Sequence, residues 1–140
     1  MPDYTIETTY HLPVFRHRAY SADTPEAACR AAIEDDDLEH GRHDYDSSGE
    51  TYVTGIWPGR DTAYAGEPLP VPSHFGETVQ RQAAHFEILL GLLKIMVADA
   101  RAGQQPPPDG IAKASWAIAR AEAILDGARD PDEPVEMPTG

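Results

Sequence analysis

Residues 88–98, ILLGLLKIMVA, decide how this chain is read: from Ile88 to Ala98 only Gly91 and Lys94 are not apolar. Stepping back to Val79 and forward in alternating fours and threes lands on Ala83, Phe86, Leu90, Leu93, Val97 and Ala100, an unbroken apolar stripe at heptad spacing. Leu89, Leu92, Ile95 and Met96 widen that stripe. The spacing predicts one long helix from Ser73 to about Arg101, with Ser73 as its cap and Glu77 in its opening turns. A helix that is apolar almost all round needs partners on more than one side. Lys94 shares a face with Glu87, Gly91 and Arg101, so a narrow polar strip survives beside the apolar one and lets the lysine reach water at the rim of an interface.

Outward from this helix the punctuation is clear. Gly103 and Pro106, Pro107 and Pro108 close it, and Asp109 is placed to cap a second helix from about Ile111 to Asp126. On that second helix Ile111, Ala114, Ile118, Ala121 and Leu125 form a stripe whose alanines allow close approach, with Trp116 as a bulky anchor. The pair reads as an antiparallel helical hairpin with the Pro-rich connection at its tip. Towards the N-terminus, Tyr4, Ile6, Thr8, Tyr10 and Leu12 alternate as in a strand, and Pro13 breaks that segment or puts it at a sheet edge. Thr24, Pro25 and Glu26 form an N-cap, first-turn proline and first-turn acid, so a short helix starts there and fades in Asp35, Asp36 and Asp37. A hairpin is expected next, from Arg42–Asp46 through Ser47, Ser48 and Gly49 into a strand at Glu50–Trp57 that is apolar on both faces and so internal to the sheet. The stretch from Trp57 to Pro72 is a long loop of the kind that often carries function.

These elements give an α+β fold: a small, mostly antiparallel sheet of three or four strands, one short helix and the C-terminal helical hairpin. Residues 1–128 read as a single domain, and residues 129–140 as an acidic, Pro-rich, disordered tail.

The formal net charge of -13, from 24 acids against 11 bases, argues against direct binding of nucleic acid, because each phosphate contact needs a cation. The same charge suits solubility or a basic protein partner. The single cysteine, Cys29, excludes an intramolecular disulfide and fits a reducing cytoplasm, where it reads as a small residue on an apolar helix face. The longest apolar stretch is too short to span a bilayer, and the N-terminal residues lack the pattern of a signal peptide, so the expectation is a soluble cytoplasmic protein.

Two polar clusters are candidates for chemistry. Glu39, His40, His43, Asp44 and Asp46 mix imidazoles and carboxylates at short spacing, and His40, His43 and Asp44 are the metal candidates among them, although no HExxH and no cysteine pair accompanies them. On the long helix His74, Thr78, Arg81 and His85 recur at three and four residues, so His74, Arg81 and His85 could hold an anion or a substrate carboxylate. Arg60, Asp61, Tyr64 and Glu67 in the Pro-bounded loop could close over that row. There is no GxSxG elbow, P-loop or GxGxxG.

The leading functional expectation is a non-enzymatic binding or accessory protein without a cofactor. It self-associates, as a dimer, through Val79, Phe86, Leu89, Leu90, Leu93, Met96 and Val97. The rivals are a small metal-binding or hydrolytic enzyme built on His40, His43 and Asp44, and an acidic nucleic-acid mimic that inhibits a nucleic-acid-processing enzyme.

Overall fold

The computed structural model describes residues 1–37 and 39–134. The fold is α+β, with four short strands and three α-helices among the described residues. The chain divides into two compact units, one of Met1–Thr9 with Thr51 onward, the other of Tyr10–Glu50.

In the first unit β1 (Tyr4–Thr9) and β4 (Tyr52–Pro58) pair antiparallel, from Tyr4 opposite Pro58 to Thr9 opposite Tyr52. Both are rich in β-branched and aromatic residues, which suit a pleated surface. The register slips between Glu7 and Thr8, leaving Thr54 as the extra residue of a bulge. Its hydroxyl bonds Glu7 and lies 2.9 Å from that of Thr9, so the extra residue is anchored. The better covered side of β1 is the polar one, Thr5, Glu7 and Thr9, while Tyr4 and Ile6 are exposed. That inversion follows from what lies against the strand: Thr5 donates to the Gly59 carbonyl and accepts from the Thr62 amide, and Glu7 accepts from Tyr64.

The first unit also holds the helical hairpin, α2 (Thr78–Arg101) and α3 (Pro108–Leu125). Side chains from Gln82 to Leu89 share a crevice with Ala121–Leu125, and Leu92 to Asp99 share another with Pro106–Ile118, so the two helices run antiparallel. The first ends at Gly103, whose φ of 68° is the left-handed conformation of a helix stop, and the second opens on Pro108. Ser73 does not cap α2. It lies in a separate 3-10 turn, Ser73–Phe75, where its hydroxyl accepts from the Asp130 amide at 2.8 Å and its own amide donates to Glu133.

In the second unit β2 (Val14–Phe15) pairs antiparallel with β3 (Arg42–His43). Helix α1 (Pro25–Glu34) starts as its sequence predicts, with the Thr24 hydroxyl accepting from the Ala27 amide at 3.1 Å. Its acidic end is held by arginines. Arg16 donates to the carbonyls of Ala32 and Asp35, and Arg18 donates to the Asp35 carboxylate at 2.7 Å.

Two expectations about the strands are corrected. The hairpin between 42–46 and 50–57 does not form: the Asp44 carboxylate caps a 3-10 turn at Tyr45–Ser47, and backbone bonds from Asp44 to Pro13 and from Gly49 to His11 commit this stretch to the 11–14 segment instead. The strand at 52–58 is then not internal to a sheet of three or four strands. It belongs to a two-stranded sheet, and its Ile56 carbonyl accepts from the Leu69 amide at 2.8 Å. Among the described residues no helix is long and apolar enough to cross a membrane.

Candidate functional site

The helical hairpin carries the most distinctive surface of the chain. Its internal seam is small: Ala117 and Ile124 of α3 are buried, and with Trp57 they are the only buried apolar residues among those described. On α2 the row that meets α3 is centred on Gln82, His85, Leu89, Leu92 and Met96, with Phe86 and Ile95 at its two margins. The heptad stripe lies about 100° further round the helix, at the angle that 3.6 residues per turn dictates. All seven residues expected at an interface, Val79, Phe86, Leu89, Leu90, Leu93, Met96 and Val97, are between 39% and 64% exposed.

All five residues of the apolar stripe of α3 line the crevices shared with α2, but Ala114 and Ala121 are half-buried there, whereas Ile111, Ile118 and Leu125, seven residues apart, are exposed. In an antiparallel pair of right-handed helices these two exposed rows emerge on one side of the hairpin. Phe86 and Leu89 accordingly line one crevice of about 240 Å³ with Leu125 and Ile124. The alanine-rich pattern of α3 located its contact with α2, but the second exposed row becomes visible only once the direction of the hairpin is known.

The polar row is tied into the chain at Arg81 and His85. Arg81, 9% exposed, donates through Nη2 to the Ala128 carbonyl at 2.8 Å and to the Asp130 carboxylate at 2.9 Å. Arg120 reaches the other oxygen of Asp130 at 3.4 Å and lies 2.8 Å from His85 Nδ1. Because a guanidinium can only donate, Nδ1 accepts, and Nε2 carries the proton donated to the Ala117 carbonyl at 2.7 Å. His85 is 2% exposed and meets the Trp116 ring edge-on. Burial works to raise the Asp130 pKa, but the hydrogen bond from Arg81 and the charge of Arg120 outweigh it and hold the carboxyl below its ordinary value. The anion that Arg81 could have taken from solution is thus a carboxylate of the chain itself. Sequence reasoning missed Asp130 and Arg120 because Asp130 sits in a stretch whose composition reads as a disordered tail. Within that tail Arg129–Pro134 are described, and residues 135–140 lie outside the described residues.

His74 is apart from this network. Its ring lies against Phe75, with centroids 4.2 Å apart, and its Nδ1 is buried with no hydrogen-bond partner among the described residues. The loop side chains offered as a cover over the row instead tie down the sheet. Arg60 pairs with Asp3 at 3.0 Å, while Tyr64 donates to Glu7 and packs on Trp57 with ring centroids 4.8 Å apart.

His40, His43 and Asp44 diverge. His40, in the left-handed region at φ 67°, lines a polar crevice of about 300 Å³ with Arg16, His17 and Arg42. His43 is paired in β3 and its ring meets Tyr45. The Asp44 carboxylate is occupied by the amides of Asp46 and Ser47, and its pKa is lowered chiefly by Ser47. Among the described residues no group of three or more His, Cys, Asp or Glu side chains is gathered so as to hold a metal ion.

No family model, no curated protein and no solved structure matches the chain.

Proposed function

We propose that this chain is a non-enzymatic binding or accessory protein that works as a homodimer, with the α2–α3 hairpin as its association surface. The observation that carries the reading is the exposure of two heptad rows, Val79 through Val97 on α2 and Ile111 through Leu125 on α3, which the angular spacing of residues in an antiparallel helix pair sets on one side of the hairpin. Burying such rows is the main favourable term in association, at about 25 cal/mol for each Å² of apolar surface removed from water. The polar network supports the non-enzymatic part: Arg81 Nη2, both ring nitrogens of His85 and the Arg120 guanidinium are engaged with one another or with Ala117, Ala128 and Asp130, while Arg81 Nε is buried without a partner among the described residues. The acidic remainder of the surface, at a net charge of -13, suits a basic protein as the dimer's further partner.

Leu93→Asp tests the reading. Leu93 is exposed, so the substitution leaves the fold of the single chain intact, while in a dimer it buries an uncompensated carboxylate. Light scattering on an eluting peak is expected to give a dimeric mass for the wild type and a monomeric mass for the variant, with unchanged helical circular dichroism. A wild type that elutes as a monomer removes the reading.

A further inference from the structure

We infer that the occupant of the hairpin face is a second copy of the chain docked antiparallel, α2 against α2, about a two-fold axis between Gly91 and Leu92. This rests on the self-association proposed above and adds direction and register to it. Charge along one flank of the stripe sets the direction. Immediately after each of the stripe residues Val79, Phe86, Leu93 and Ala100 comes a member of one flanking row, Gln80, Glu87, Lys94 and Arg101. That row carries one acid, Glu87, beside the neutral Gln80 in the first half of the helix, and two bases, Lys94 and Arg101, in the second. The flank on the other side of the stripe, toward α3, carries Leu89 and Met96.

A parallel copy sets one flank against the opposite flank of its partner, as in parallel coiled coils, so Glu87 and Lys94 would face Leu89 and Met96. An antiparallel copy sets like flanks together. With Leu90 opposite Leu93 of the second copy, and Phe86 opposite its Val97, Glu87 falls beside Lys94 of the second copy and Gln80 beside its Arg101. The two-fold repeats each pairing. Slipping the register so that Leu90 meets Phe86 of the second copy places the two Glu87 side chains together, which is repulsive. The charge pattern therefore selects one direction and one register.

The same arrangement accounts for α3. Leu89 and Met96 meet their counterparts on the flank where α3 packs, so the α3 helices of both copies fall on one side of the α2 pair. Their exposed rows, Ile111, Ile118 and Leu125, then face each other and a four-helix bundle closes. Helices of this length, ~27 to ~36 Å at 1.5 Å per residue and spaced ~10 Å apart, present a face on the order of 600 Å² per copy. Doubled, that approaches the ~1,200 Å² at which stable interfaces begin.

The test places a nitroxide at Arg101→Cys in a Cys29→Ser background and measures the distance between the two labels, with sedimentation run on the same sample. The expected result is a dimer with labels about 30 Å apart, since the register separates the two positions by that length along the bundle. A dimer with labels within about 15 Å overturns the antiparallel docking and leaves self-association standing. A monomer overturns both. Charge reversal checks the register: Glu87→Lys weakens the dimer about tenfold, and adding Lys94→Glu restores it. A double variant no tighter than the single one contradicts the pairing of Glu87 with Lys94.

Discussion

A histidine enclosed between two helices must satisfy both ring nitrogens, and His85 does so with a carbonyl on one side and Arg120 on the other. The cation it accepts from is in turn neutralised by Asp130, which Arg81 also holds. Asp130→Asn leaves two largely buried guanidiniums without their counter-charge, and loss of one partner from a buried pair costs about 3 kcal/mol or more. Urea denaturation is expected to show that loss, whereas Asp132→Asn, outside the network, leaves the midpoint unchanged. Asp35 is a second such centre. The Tyr20 hydroxyl first, then the Asp37 amide and Arg18, hold its carboxyl well below the usual carboxylate range. A depressed pKa contributes stability that is present above the unfolded-chain value of about 3.9 and is lost as pH falls from there through the folded value. Amide signals of α1 are therefore expected to broaden below about pH 4, and in Asp35→Asn that acid step disappears. At this scale the sequence was partly legible. The row of Arg81 and His85 on one helix face followed from spacing alone, but their partners lie 32 to 49 residues away, where periodicity carries no information.

At the scale of elements, helices were read better than strands, for a physical reason. The stripe from Val79 to Ala100 and the Thr24-Pro25-Glu26 start are local signals, and local hydrogen bonds realise them. Strand pairing is a choice among distant partners. Val53, Ile56 and Trp57 do form a strand, but its partner is Tyr4–Thr9 and not the Arg42–Asp46 stretch beside it. The choice shows in one glycine. Trp57 lies flat over Gly55, two residues back on the same face of β4, and a Cβ at Gly55 would collide with the indole ring. Gly55→Ala must lift Trp57 from its buried position, at about 1–3 kcal/mol for an overpacked site. With Trp116→Phe as background, the remaining indole emission is expected to shift to the red. An unshifted spectrum with an unchanged urea midpoint would show that the ring does not depend on that gap.

For the whole molecule, the described residues contain very few buried side chains, and exposed large apolar side chains occur in both units, with their longest continuous run on the helical hairpin. The residues of that surface were named correctly as apolar and helical from sequence. Which of them α3 would cover was not, because alanines along α3 admit contact without fixing which side of α2 they meet. Charge organises what remains: a strongly acidic chain keeps its few bases at defined places, among them Lys94 and Arg101 beside the apolar stripe. Acidic self-repulsion acts against association, so salt is expected to tighten the dimer overall while weakening the Glu87 to Lys94 contribution. Sedimentation equilibrium of the wild-type chain across a hundredfold range of micromolar concentrations tests the central claim most directly. A reversible monomer–dimer equilibrium saturating at twice the chain mass is expected, and a single species at one chain mass throughout that range would contradict it.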